Sequence, residues 1–358
     1  MIATHEFRAF FVFLESAMSF TRRQFISAAV ASAAFAAAPA VFAAPRKVRI
    51  AVGGKALYYY LPLSVAERLG YFKDEGVNVE IIDFQGGSKS LQAVVGGSAD
   101  IVSGAFEHTI SMQTRGQAMR AFVLQGRAPQ VVFAVNKKTM PDYKTLSDLK
   151  GKKIGVTAPG SSSQVLANFV LAQGGVKPSD VAFIGVGAAS AAVAAIRSGQ
   201  IDAFANLDPV VAQLQQDDLL KIVADTRVVE ESDAIFGGPM VAGCLYAPER
   251  FVRSHADEVQ AITNAMVRAD HWLATATADD IVKTVPETYF MGNKAIYIEG
   301  FLKNRPTLSR DGIIPEGAPA ISLRALTSVN PKMASMKVNL DAVYTNEFAK
   351  KANAKYFG

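Results

Sequence analysis

Residues 156–175 read VTAPGSSSQVLANFVLAQGG, and this stretch decides the fold class of the chain. A β-branched run is interrupted at Pro159 and Gly160 and is followed by apolar residues at helical spacing, which predicts a strand, a loop and a helix. The loop presents backbone N–H groups and serine hydroxyls at a helix start, where the negative group of a small ligand is stabilised. The alternative is that Ser161 only caps the helix.

A similar unit occurs roughly 100 residues earlier in the chain. The octet AVVGGSAD ends at Asp100 and matches AIRSGQID, which ends at Asp202. The strand-like runs RIAV (49–52) and KIGV (153–156) lie before these octets at nearly the same spacing. Two matches at one spacing predict two α/β units of similar topology, with the loop GGSKS (86–90) at a helix start of the first unit.

The remaining segments predict two crossing strands and a helical end. The β-rich run 131–136 predicts a crossing from the first unit to the second, and 240–246 predicts the return. Apolar residues at helical spacing over 259–273 predict a core-facing helix, and SHAD at 254–257 resembles a capping box in front of it. The tail 340–355 predicts a last amphipathic helix.

Composition limits the class of protein. The 358 residues are 50% apolar and 19% charged, and the net charge of +5 is spread along the chain. This is an ordinary globular composition, without the Lys/Arg block that binds nucleic acid. After the N-terminal region, no apolar run approaches the length of about 20 residues that spans a bilayer. We expect a soluble monomer with no nucleic-acid partner and no stable membrane insertion.

The first 43 residues are typical of an export signal. The arginine pair 22–23 precedes an Ala-rich apolar run that ends in a small-x-small pattern, so we expect cleavage near Ala43 and a periplasmic product. The order SFTRRQFI resembles the twin-arginine signal, with a general secretory signal as the alternative, and Met18 is an alternative start. Cys244 is the only cysteine, which excludes an intramolecular disulfide and a lipid-bearing cysteine at the cleavage site.

Catalytic and metal-binding patterns find little support. The serine run lacks the G-x-S-x-G elbow, and the loop around Lys89 lacks the glycines of a phosphate-binding loop. We therefore expect no cofactor, no metal and no enzymatic activity. The four histidines are not spaced as metal ligands; they are His5, His108, His255 and His271.

Several motifs resemble one family. The segment GYFKDEGVNV (70–79) is similar to a signature of the nitrate, sulfonate and taurine branch of periplasmic substrate-binding proteins. That branch has a Gly-Gly-Ser loop, a Gly-x-x-Asp strand start and a Thr-x-Gly-Ser helix start, which correspond to 86–88, 97–100 and 157–162. The tail 344–348 also resembles the closing helix of the branch. The resemblance covers essentially the whole chain after the signal.

The resemblance implies a type II periplasmic binding-protein fold, an α/β fold whose two lobes enclose a ligand cleft, with two crossing segments as the hinge. It places lobe I at 44–133 plus 243–358 and lobe II at 134–242, and it implies delivery of the ligand to the permease of an ABC importer. The leading ligand class is a small organic anion, such as an aliphatic or aromatic sulfonate or a taurine- or nitrate-like ion. A pyrimidine or other nitrogenous aromatic compound is the alternative.

A thiamin-pyrimidine-synthase-like enzyme is a further alternative. The synthases carry a clustered-cysteine motif, whereas this chain has one cysteine, and the export signal also argues against them.

The helix-start loops predict the ligand contacts, because ligands of open α/β sheets bind beyond the carboxyl ends of the strands. Serines 161–163 are expected to hold an anionic group opposite Ser88 and Lys89, and one or two of tyrosines 58–60 to wall the ligand. The loop 236–239 is a further candidate. The carboxylates and the histidine that follow strand ends suggest either a ligand with a donor group or a surface role. The ligand-binding candidates are Tyr58, Tyr59, Ser88, Lys89, Ser103, Glu107, His108, Ser161, Ser162, Ser163, Asn206 and Asp208.

Overall fold

The computed structural model describes residues 46–358. The predicted export signal 1–43, its twin-arginine pattern and the alternative start at Met18 lie outside the described residues. Within 46–358, no helix is both long and apolar enough to cross a membrane.

The described residues alternate between strands and helices. The strands are β1 (Lys47–Val52), β2 (Asn78–Asp83), β3 (Ile101–Ala105), β4 (Met119–Leu124), β5 (Val132–Asn136), β6 (Lys153–Val156), β7 (Ala182–Gly185), β8 (Ala203–Asn206), β9 (Leu220–Asp225) and β10 (Gly243–Pro248). The helices are α1 (Leu61–Arg68), α2 (Tyr71–Asp74), α3 (Gly87–Val95), α4 (Glu107–Gln113), α5 (Ser162–Gln173), α6 (Ser190–Ser198), α7 (Val210–Gln216), α8 (Val229–Phe236), α9 (Glu249–Ser254), α10 (Ala256–Thr275), α11 (Ala278–Thr284), α12 (Lys294–Asn304), α13 (Ala318–Val329), α14 (Pro331–Ala334) and α15 (Glu347–Phe357).

Two five-stranded sheets share one arrangement. The first has the order β2-β1-β3-β10-β4, and the second has the order β7-β6-β8-β5-β9. In each, three strands are parallel and the fourth, β10 or β5, lies antiparallel between its two neighbours. The first sheet therefore takes its strand β10 from beyond the second sheet in the chain, whereas the second sheet consists of the consecutive strands β5 to β9. We call each sheet with the helices packed on it a lobe, the first lobe and the second lobe.

The repeated octets have the same structural role in both lobes. The Asp100 carboxylate accepts the backbone N–H of Arg49 at 2.8 Å, and the Asp202 carboxylate accepts that of Lys153 at 3.0 Å. Each aspartate thus fixes the segment after a helix, α3 or α6, to the start of the central parallel strand, β1 or β6. The sequence prediction of two similar α/β units is confirmed.

Two predictions about the helical end are wrong in detail. Ser254 does not cap α10, because its hydroxyl donates to the carbonyl of Arg250 one turn earlier. The last helix begins at Glu347 rather than near residue 340. Before it, residues 340–342 form only a short 3-10 turn, and residues 343–345 cannot be helical because their backbone pairs with β4: Ala121 donates to the carbonyl of Val343 and accepts from the N–H of Thr345.

The long helix α10 forms part of the core of the first lobe and contains an unpaired buried acid. Asp270 is fully buried, and neither of its carboxylate oxygens has a hydrogen-bond partner among the described residues. Burial, with a smaller contribution from Asp311, raises the pKa of Asp270 well above its usual value. The folded protein therefore holds this proton at a pH where the unfolded chain releases it.

We expect the pH dependence of stability to change when Asp270 is replaced by asparagine. The proton on Asp270 stabilises the fold fully below about pH 4, the usual aspartate pKa, and this contribution is lost as the pH rises toward the raised pKa. Asp270→Asn should flatten the stability profile above pH 4, measured by urea unfolding from pH 4 to 9. Asp279→Asn, an exposed position on α11, is the control. Equal slopes for wild type and Asp270→Asn would contradict the prediction.

Candidate ligand site

The helix-start loops of the two lobes, residues 86–90 and 157–163, are in contact. We call this contact between the lobes the seam. Ser161 lies directly before α5, but its side chain does not cap that helix. Instead, its hydroxyl oxygen accepts the backbone N–H of Ser88 at 3.0 Å and lies 3.2 Å from the Ser88 hydroxyl oxygen. The Ser88 hydroxyl in turn donates to the carbonyl of Pro159 at 2.8 Å. The predicted facing of Ser88 and the serine loop is confirmed, and simple capping by Ser161 is wrong.

Glycines let the two backbones approach closely at this seam. Gly86 has φ of 102°, and a Cβ atom there would lie 2.7 Å from the Cβ of Ala158. Gly54 has φ of 110°, and a Cβ atom there would lie 2.8 Å from the Cβ of Ala188. Side chains at either position would clash with the opposite lobe as well as strain the backbone.

His108 bridges the lobes in one tautomer. Its Nε2 lies 3.3 Å from the carbonyl oxygen of Gly160, and its Nδ1 lies 2.9 Å from the hydroxyl oxygen of Tyr246. Because a carbonyl oxygen only accepts, Nε2 carries the proton and Nδ1 accepts from Tyr246. Burial lowers the pKa of His108 to about 4, although the bond to Gly160 opposes this shift. The imidazole is therefore neutral near pH 7.

A small cavity lies beside these contacts and is lined from both lobes. Glu107 at the start of α4 faces it from the first lobe, and Ser162 at the start of α5 faces it from the second. Its other lining residues are apolar, so Glu107 is the one ionisable group in the lining. They are Pro129, Val165, Leu166, Phe236, Met240 and Ala242.

Glu107 is buried with one oxygen of its carboxyl group unpaired within the described part of the chain. Its Oε2 has no hydrogen-bond partner among residues 46–358, and only 2% of the residue is exposed. Burial raises the pKa of Glu107 to about 7, opposed by its own backbone N–H. The nearby hydroxyl of Tyr59 is likewise buried and unpaired within the described chain. Burial raises the pKa of Tyr59 well above its usual value, and the charge of Glu107 adds to the rise.

Four further candidates are engaged by protein groups. Their partners are the carbonyl of Tyr297 for Tyr58, the side chain of Gln125 for Ser103, Thr157 for Ser163, and the carbonyl of Gly187 together with the N–H of Leu207 for Asn206. Lys89 is exposed on α3. Glu107, His108 and Asp208 are all buried, so the alternative of a surface role for them is wrong.

Asp208 belongs to a buried charge network at the end of the second sheet. Its carboxylate accepts from the guanidinium of Arg227 at 3.2 Å and from the side-chain amide of Asn304 at 2.6 Å. Arg227 also pairs with Asp225 at 2.6 Å, and Lys303 on α12 reaches Asp225 at 3.1 Å. Burial alone raises the pKa of Asp225, but the hydrogen bonds and charge of Arg227 outweigh it and lower the pKa overall.

Sequence reasoning missed several residues of this region. Arg227 follows β9 by two residues, and a lone arginine just beyond the carboxyl end of an apolar strand was the available signal. Tyr246 points at His108 from the middle of β10 and gives no signal in the sequence, because its partner lies 138 residues away. Phe236 was not missed: the sequence placed it in the candidate loop 236–239, and it lines the cavity as the last residue of α8.

Comparison with known proteins now identifies the family. A family model described as NMT1/THI5 like matches residues 58–276. The chain belongs to the NMT1/THI5-like family. A solved structure from Bordetella bronchiseptica RB50 is 56% identical and has a TM-score of 0.85, covering 87% of this chain and 98% of its own.

Two other similar proteins have described functions. The periplasmic aliphatic sulphonate binding protein SsuA from Escherichia coli is 19% identical with a TM-score of 0.61, covering 83% of this chain and 96% of its own. The 4-amino-5-hydroxymethyl-2-methylpyrimidine phosphate synthase of Schizosaccharomyces pombe is 25% identical over 251 residues, which are 67% of this chain and 68% of the synthase. This member of the NMT1/THI5-like family has the two-lobed type II periplasmic binding-protein fold, as the family resemblance implied.

Proposed function

We propose that the chain is a solute-binding protein that captures a small organic molecule between its lobes and delivers it to the permease of an ABC importer. The observation that carries this proposal is the cavity lined from both lobes, with the unpartnered Glu107 carboxyl in its wall. A ligand that contacts both lobes binds only the closed form, so it shifts the population toward that form. The fold likeness to a periplasmic binding protein supports this proposal.

Location and boundaries complete the proposal. We propose that the signal at 1–43 exports the chain, that cleavage occurs near Ala43, and that the product acts in the periplasm as a monomer. The lobe boundaries stay a prediction, with one lobe at 44–133 plus 243–358 and the other at 134–242.

The cavity favours a nitrogenous ligand over a sulfonate. A carboxylate without a partner needs an N–H donor or a cationic group, and none of the lining residues is Lys or Arg. The apolar wall formed by Leu166, Phe236 and Met240 has the chemistry against which an aromatic ring packs, and the cavity has to widen to admit one because its free space is about that of a single water. We therefore propose a small aromatic nitrogen compound, with an aminopyrimidine as the model.

A small organic anion, the leading ligand class from the sequence, becomes the second candidate. The first backbone N–H groups of α5 lie at Ser162, and the fold likeness to a sulphonate binding protein points the same way. An anion would require Glu107 to be protonated, because two negative charges oppose each other at close range.

A synthase-like activity is the weaker proposal. The similar fungal proteins are named as synthases, but the one cysteine of this chain, Cys244, is fully buried in β10. Burial and the charge of Glu107 raise the pKa of its thiol well above the usual value, which disfavours the reactive thiolate. We propose binding and transport rather than turnover.

A panel of probes tests the ligand class. We expect 4-amino-5-hydroxymethyl-2-methylpyrimidine to raise the melting temperature and ethanesulfonate to leave it unchanged, measured by thermal shift and confirmed by calorimetric titration. Stabilisation by ethanesulfonate alone would reverse the order of the two candidates. Conversion of the pyrimidine probe by the purified protein would favour the enzyme.

A further inference from the structure

The loop that leads into α5 is held by the opposite lobe rather than left open for a ligand. Three protein contacts from the first lobe reach residues 159–161. Ser88 donates its hydroxyl to Pro159 and its backbone N–H to Ser161, and His108 donates Nε2–H to Gly160. Each consecutive residue of the loop therefore has a partner across the seam.

The side chains that make these contacts have little capacity left for a ligand. The Ser161 hydroxyl accepts from Ser88 and points its own proton toward the Ser88 hydroxyl oxygen. Both ring nitrogens of His108 are occupied, one by Gly160 and the other by Tyr246. This contrasts with Glu107 and Tyr59, whose buried oxygens are unpaired among the described residues.

We propose that Ser88, His108 and Ser161 form a closure latch: they hold the two lobes together and are positioning residues, whereas Glu107 contacts the solute. This inference rests on the proposed binding function. If the latch sets the closed population, it sets the affinity for every solute by one common factor, because the apparent dissociation constant scales inversely with the competent fraction. A residue that contacts the solute discriminates between solutes instead.

Close backbone packing supports a contact that forms on closure. Gly54 and Gly86 have no side chains, which leaves room for Ala188 and Ala158 of the opposite lobe. Two lobe surfaces that pack against each other on closure need such room. The latch hydrogen bonds lie on the same seam, so the close approach at the glycines and the hydrogen bonds both favour the closed form.

Spin-label distance measurements test the latch without any ligand. Lys73 and Lys177 are exposed on the first and second lobes and can be replaced by labelled cysteines, while Cys244 is buried. We expect the double variant Ser88→Ala with Ser161→Ala to raise the ratio of open to closed molecules about tenfold, seen as a longer distance. An unchanged distance distribution would overturn the latch.

A matched control keeps the test specific. The double variant Ser90→Ala with Ser163→Ala removes two buried hydroxyls from the same loops, but these bond within their own lobes, to Gly87 and Thr157. It should leave the distance distribution unchanged, and an equal shift there would also overturn the latch.

A wedge variant gives an independent test. Ala188→Leu adds bulk opposite Gly54, so it should favour the longer distance with the latch side chains intact. If the two spin labels in this variant still showed the short distance of the closed form, closure at the seam would be contradicted. Because these experiments use no ligand, they can fail while the panel of probes succeeds, and the reverse also holds.

Discussion

Glu107→Gln is expected to weaken binding of the pyrimidine probe by about 10- to 100-fold, because it removes a hydrogen bond to a charged acceptor at a buried position. Glutamine keeps the shape of the side chain, so the fold should be preserved. Calorimetric titration measures the affinity, and circular dichroism checks the fold. Glu249→Gln, at a partly exposed position at the start of α9 and outside the cavity lining, is a control that should bind as wild type does.

The pH dependence of binding distinguishes a solute that donates a hydrogen bond to Glu107 from an anionic solute. A solute that donates to Glu107 binds the carboxylate, and the pKa of that carboxyl in the free protein is about 7. Binding should therefore strengthen as the pH rises from 6 to 8 and should be flat over this range in Glu107→Gln. For an anionic solute the sign is opposite, since it binds the protonated form. An affinity that falls with rising pH would contradict the nitrogenous ligand.

Arg227→Met is expected to destabilise the protein by about 3–5 kcal/mol, because it leaves a buried carboxylate without its cation. Both Arg227 and Asp208 are about 1% exposed, and Arg227 bonds to Asp208, Asp225 and Gln215. Methionine has similar length and no charge, so the loss reports the unpaired acids rather than a cavity. Urea unfolding at pH 7 measures the change.

A surface pair provides the comparison for Arg227. Arg253 pairs with Glu249 at 2.7 Å one turn apart on α9, and its side chain is 71% exposed. Arg253→Met should change stability very little, because solvent screens exposed pairs. If the two variants lost the same free energy, the buried network would have no special role.

The sequence could predict those parts of the site that depend on local pattern. The serine loop before α5 and the glycine loop before α3 were identifiable, because turn residues followed by helical spacing mark a helix start wherever it lies. The facing of Ser88 and the serine loop across the two lobes followed from the family resemblance, but the direct hydrogen bonds between Ser88 and Ser161 did not. Glu107 and His108 were candidates because they follow a strand, but their burial was not visible in the sequence.

The repeat and the corrections show the same division. Asp100 and Asp202 have the same role, because each accepts a backbone N–H at the start of a strand in its own unit. The constant spacing of the two octets was therefore enough to predict the duplicated units. The segment before Glu347 has helical spacing but pairs with β4 more than 200 residues away, which a local pattern cannot report. Arg227 and Asn304 meet at Asp208 from two distant parts of the chain.

The sequence by itself determined the two α/β units, their order along the chain and the loops that open their helices. These features follow from periodicity, turn residues and capping, which act over a few neighbouring positions. Only the tertiary structure decided that the loop serines bond to each other across the seam and that Glu107 is left unpaired in the wall of the cavity. The reason is physical: hydrogen-bond saturation and burial depend on groups that the chain brings together from distant positions.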